Sequence, residues 1–94
     1  MKGKTLLVKV FTHPMCTSCK SAIQMVERLA RQREDVDVQI VSLASQNGRR
    51  EAEREKILSV PTILVGTNGR LVGVPRWEEL VAAIEAEVAR VKEG

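Results

Sequence analysis

The chain has 94 residues, 44% of them hydrophobic, and 15 Lys and Arg against 12 Asp and Glu for a formal net charge of +3. That length and composition fit one domain with a single packed core. The basic excess is too small to argue for nucleic acid, two aromatic residues (Phe11 and Trp77) supply almost no base-stacking surface, and no apolar run approaches a membrane span.

Residues 6–11 form a short apolar run bounded by turn residues, the signature of a buried strand. Lys9 interrupts that run and no small-residue cleavage site follows it, so it does not read as a secretory leader. Thr12, His13 and Pro14 break the strand, and a helix is expected to begin near Cys16. Ala22, Ile23, Val26, Leu29 and Ala30 share one face of it at helical spacing, and it fades around residues 33–35. Residues 36–43 alternate as a second strand, with Val36, Val38, Ile40 and Ser42 facing one way and Asp37, Gln39, Val41 and Leu43 the other. Gln46-Asn47-Gly48 reads as a loop and residues 49–58 as a short, highly charged helix.

Residues 62–65 are a third strand. Gly66-Thr67-Asn68-Gly69 turns the chain, with Asn68-Gly69 the pair expected at positive φ in a tight hairpin, and residues 71–74 are a fourth strand. Pro75 opens a last helix with Glu78 and Glu79 in its first turn, where they suit the helix dipole. Its inner stripe is Trp77, Leu80, Val81, Ile84, Val88 and Val91. The order β-α-β-α-β-β-α, with a right-handed β-α-β crossover and a closing hairpin, predicts an α/β fold with a four-stranded mixed sheet and helices on both faces.

Cys16-Thr17-Ser18-Cys19 falls between the first strand and first helix, and it holds both cysteines of the chain. In a cytoplasmic protein, where thiols are kept reduced, a close pair points to catalysis or metal binding rather than to a structural staple. The N–H groups and partial positive charge of a helix start favour a thiolate at Cys16, and Lys20 adds a cation. Cys16 is thus the expected exposed attacker and Cys19 the buried resolver of a dithiol exchange. The competing readings are two ordinary buried cysteines, or a metal or iron–sulfur module using His13, Cys16 and Cys19, which offers three ligands where closed zinc sites need four. His13 is either a proton carrier whose imidazolium would favour the thiolate or a solvent-facing loop residue. Val60-Pro61 before an apolar strand reads by itself as strand entry.

Taken together, residues 8–11, the cysteine motif, Val60-Pro61-Thr62 about forty residues later, and Asn68-Gly69 followed by Leu71-Val72-Gly73 resemble the thioredoxin/glutaredoxin superfamily in order and spacing. The resemblance runs from Leu6 to Val91. It implies a thioredoxin-like three-layer fold and a thiol–disulfide oxidoreductase needing no cofactor. It also implies a cis Pro61 facing the cysteines and a Val60 backbone that pairs with substrate. The partners implied are protein disulfides and, as electron donor, a reductase or a low-molecular-weight thiol, with the chain acting as a monomer and neither nucleic acid nor membrane involved. Met15 stands where thioredoxins usually carry Trp, and Thr17-Ser18 stands where they carry Gly-Pro and glutaredoxins Pro-Tyr. Gly73-Val74-Pro75-Arg76 replaces the Gly-Gly and acidic pair that hold glutathione in glutaredoxins. The chain is most similar to short redoxins of hybrid character. A third reading keeps the fold without the chemistry, as an interaction domain.

Overall fold

The computed structural model describes residues 5–93, with side chains described for residues 5–90. Seven elements follow in order: β1 (Leu6–Thr12), α1 (Cys19–Gln32), β2 (Val36–Ser42), α2 (Gln46–Arg54), β3 (Thr62–Val65), β4 (Gly69–Val72) and α3 (Trp77–Glu93). The strands form one four-stranded sheet in the order β2-β1-β3-β4. β1 and β2 are parallel, whereas β1–β3 and β3–β4 are antiparallel. The mixed sheet and the element order are as the sequence predicts.

Side-chain alternation along the central strands divides the core into two. Leu6, Val8, Val10, Ile63 and Val65 face α1 and α3, where they pack with Ala22, Val26, Leu29, Leu80 and Ile84. Phe11 and Leu64 face α2 and meet Val41 and Ala52. β3 is buried on both faces because both faces are covered, which explains its unbroken apolar run, whereas β1 leaves Leu7 42% exposed and carries Lys9 in its middle. Edge strand β2 is covered less completely: Val36 and Val41 are buried, but Ile40 is 42% exposed. Arg28 of α1 stacks over the Trp77 ring of α3 at 5.2 Å from its centroid, joining the two helices at the surface.

Several boundaries differ from expectation. α1 begins at Cys19, three residues later than Cys16, with Ser18 at its N-cap. α2 begins at Gln46, so Gln46-Asn47-Gly48 is its first turn and not a loop. Ser45 caps it by accepting from the Gly48 N–H at 2.9 Å. In the β3–β4 hairpin the positive φ falls on Gly66 (61°), not on Asn68-Gly69, and Gly69 is the first residue of β4, paired with Val65. β4 accordingly spans 69–72 rather than 71–74, and α3 starts at Trp77, two residues past Pro75. On α3, Leu80 and Ile84 are fully buried, and Trp77, Val81 and Val88 pack against the same cluster. Val91 lies outside the described side chains. Glu87, absent from the predicted stripe, is also buried, with Arg90 at 3.8 Å.

Gly48 is in a helix for a packing reason. A Cβ there would overlap the Ser42 carbonyl oxygen and lie 2.8 Å from the Ser42 carbonyl carbon and from Ser45 Oγ. Helix propensity alone would have Gly48→Ala stabilise the protein by about 0.5–1 kcal/mol. We expect the reverse, a loss of about 1–3 kcal/mol from overpacking against backbone, measured by urea unfolding; a gain would show that α2 can back away from β2.

Candidate active site

The end of β1 delivers the site. Beyond Thr12, the chain turns through residues 13–18 before α1. In this loop the Cys16 N–H donates to the His13 carbonyl oxygen at 2.9 Å, and the Met15 N–H donates to His13 Nδ1 at 3.0 Å. These two bonds make a turn that is not helical, and that is why α1 waits until Cys19. Cys16 therefore lies outside the first turn of the helix, two residues before the Ser18 cap. The Ser18 side chain makes no capping hydrogen bond, and its Oγ lies 3.8 Å from Cys16 Sγ.

Cys16 and Cys19 are joined as a disulfide with Cα atoms 5.4 Å apart. Cys19 is 3% exposed, on the inner side of α1, whereas Cys16 is half-buried and Met15 beside it is 83% exposed. A shallow cleft adjoins the pair, lined by His13, Cys16, Cys19, Lys20, Gln24 and Ser42 among others. The loop, α1 and the end of β2 thus bring His13 and Lys20 together with both cysteines.

Val60 and Pro61 do not line that cleft, but they come to the same end of the sheet. Phe11 pairs with Thr62 in the β1–β3 register, so Pro61 is level with Thr12, where the loop toward the cysteines begins. The Val60–Pro61 peptide is cis. Pro61 is buried, and Val60 is half-buried against the Phe11 cluster. Two bonds anchor this segment: the Gly73 N–H donates to the Pro61 carbonyl at 2.8 Å, and Thr62 Oγ1 donates to the Ser59 carbonyl at 2.7 Å. Thr62, Gly73 and Ser18 are supporting residues that sequence reasoning did not assign. The usable signals were a hydroxyl directly after Pro61 and a glycine just past the last strand, where φ is 84°.

An accessible and a buried cysteine in disulfide contact, at a strand–helix junction, define a dithiol–disulfide exchange site. Among the described residues, no group of three or more His, Cys, Asp and Glu side chains is arranged to hold a metal ion. A thioredoxin family model matches residues 1–90. The thioredoxin of Methanocaldococcus jannaschii is 33% identical over 79 residues, covering 83% of this chain and 91% of that one. A probable thioredoxin of Methanothermobacter thermautotrophicus is 33% identical over 82 residues, covering 86% and 94%. In structure, the short form of spinach chloroplast thioredoxin f superposes with a TM-score of 0.74 at 25% identity, over 89% of this chain and 77% of that one. Oxidised mitochondrial thioredoxin 3 of Saccharomyces cerevisiae shares the fold with a TM-score of 0.75 at 20% identity, over 88% and 79%. The chain belongs to the thioredoxin family. With its cysteine pair in place, it is a thiol–disulfide oxidoreductase that reduces protein disulfides by dithiol exchange, and the metal-module reading is not favoured.

Proposed function

We propose that Cys16 is the attacking thiolate and Cys19 the resolving thiol. The observation that carries this assignment is their unequal exposure, half-buried against 3%. A substrate disulfide reaches the Cys16 sulfur first and forms a mixed disulfide. Cys19, fixed at the start of α1, then attacks Cys16 and releases the reduced substrate as the Cys16–Cys19 disulfide forms. The thiolate at Cys16 is favoured by the N-terminal end of α1, whose Ser18 side chain leaves the cap open, and by Lys20, which lines the same cleft with His13. Val60 and Pro61 form the substrate-binding rim, a role supported by their position at the cysteine end of the sheet and by the family resemblance. In the reduced protein at mildly acidic pH, iodoacetamide is expected to label Cys16 at least about tenfold faster than Cys19, because only an accessible thiolate reacts. Equal rates would remove the assignment of roles.

The electron donor we assign is a thioredoxin-reductase-type enzyme. The curated relatives are thioredoxins, and residues 73–76 lack the Gly-Gly and acidic pair with which glutaredoxins hold glutathione. Offered both donors separately, the oxidised protein should be reduced rapidly by the enzyme and slowly by glutathione. The setting we assign is a single monomeric domain in the cytoplasm. The family match over residues 1–90 supports the single domain, and likeness to the thioredoxin relatives supports the cytoplasmic setting.

A further inference from the structure

We infer that His13 is a positioning residue for Cys16, and that it works as a neutral ring whose Nδ1 holds the 13–16 loop when the disulfide opens. The inference rests on the reading of Cys16 as the attacking group. In the oxidised protein Cys16 is tied covalently to α1. Reduction removes that tie at the moment Cys16 must be presented to a substrate. Two hydrogen bonds from backbone N–H groups hold the loop, Met15 N–H to His13 Nδ1 and Cys16 N–H to the His13 carbonyl. Both end on His13, which directly follows the buried strand residues Phe11 and Thr12. Met15 is 83% exposed, so its side chain has little packing of its own to hold the turn. The bond to His13 Nδ1 is its anchor.

That bond fixes the chemistry of the ring. An Nδ1 that accepts from an amide N–H presents a lone pair, which puts the ring proton on Nε2. An imidazolium carries hydrogen on both nitrogens and would face the Met15 N–H donor to donor. The other titratable groups lining the cleft are Lys20 and Cys19 from α1 and Cys16 from the loop. β1 contributes Thr12 and β2 contributes Ser42, both uncharged, and no carboxylate is among the lining residues. A Cys16 thiolate would attract an imidazolium, but only by giving up the bond that places Cys16. The two effects have opposite signs, so experiment can separate them.

Asparagine carries Oδ1 at the position of Nδ1 and does not titrate, whereas glutamine places its oxygen one bond too far. The test compares wild type, H13N, H13A and H13Q as full chains. The readouts are labelling of reduced Cys16 by iodoacetamide at neutral pH and, separately, kcat and KM with a small aromatic disulfide. H13N should keep the wild-type rate at neutral pH within about twofold, while H13A and H13Q lose about three- to tenfold, the scale of one hydrogen bond. Attack of dithiothreitol on the oxidised proteins should differ by less than about twofold across the set, because there the disulfide still pins the loop; a misfolded variant would fail this second measurement as well. H13N as slow as H13A, or equal rates in all four proteins, would overturn the proposal. A wild type labelled first on Cys19 would instead overturn the assignment of the attacking cysteine.

Discussion

Cys19→Ser is expected to stop the reaction at its covalent intermediate. The first attack needs only the half-buried Cys16, and the loop that presents it is built from residues 13–16. The second step needs a thiol at the start of α1, where Cys19 is 3% exposed and its Cα lies 5.4 Å from that of Cys16. A serine hydroxyl there is not ionised and does not displace a disulfide sulfur. With an aromatic disulfide reporter, reduced C19S should release one equivalent of thiol and then stall as a mixed disulfide on Cys16, visible as a stable mass adduct. Added dithiothreitol should restart it. Cys16→Ser should lose turnover by on the order of a thousandfold or more, the scale on which removing a covalent nucleophile acts. Because serine at a buried site costs some stability, far-ultraviolet circular dichroism should first show both variants folded. Continued multiple turnover by C19S without added thiol, or adduct formation on Cys19 in C16S at the wild-type rate, would exchange the roles or dismiss them.

What the sequence reveals follows the range over which each feature is determined. β3 is readable to the residue because Thr62-Ile63-Leu64-Val65 is buried throughout, so its apolar character is unbroken. The cysteine pair is readable because two thiols three residues apart beside a strand end carry a chemistry that other residues do not mimic. α2 is misread at its start because Gln46, Asn47 and Gly48 are turn formers by local preference. What overrides that preference is tertiary: the Ser45 cap, and the approach of Gly48 to the Ser42 carbonyl. The hairpin is misread for a related reason, since Asn68-Gly69 has the right residues for a two-residue turn but Val65 pairs with Gly69 and pushes the left-handed position back to Gly66. The start of α1 could not be read either, because the N–H groups of Met15 and Cys16 are taken by His13, an arrangement no periodicity reports. The bond from Gly73 to Pro61 joins residues on two different strands' flanks and exists only once β3 and β4 have paired.

Phe11→Ala is expected to cost the most stability of any single substitution considered, and to disturb the substrate rim as well. Phe11 is fully buried on the α2 side of β1, paired with Val41 on one flank and Thr62 on the other. Its cluster has few other members: Val41, Ala52 and Leu64 are buried in it, with Leu43, Ile57 and Val60 packed against them. α2 is polar and contributes only Ala52 and Gly48 as buried residues, so it has no large side chain to move into a void. Truncation should therefore leave a cavity that stays open, at the upper end of the cost for such changes, about 3–5 kcal/mol. That is a large share of the about 5–15 kcal/mol that holds an ordinary domain together. Phe11→Leu, which keeps most of the volume, should cost less than about 1.5 kcal/mol. Val60 belongs to this same cluster, so surviving Phe11→Ala protein should show a raised KM for protein disulfides. Urea unfolding of the two variants, with Ile84→Val in the opposite core as a control near about 1 kcal/mol, measures the first effect, and steady-state kinetics below the unfolding transition measures the second. A Phe11→Ala cost no larger than the control would mean that α2 closes onto the sheet after all, and an unchanged KM would detach Val60 from the substrate rim.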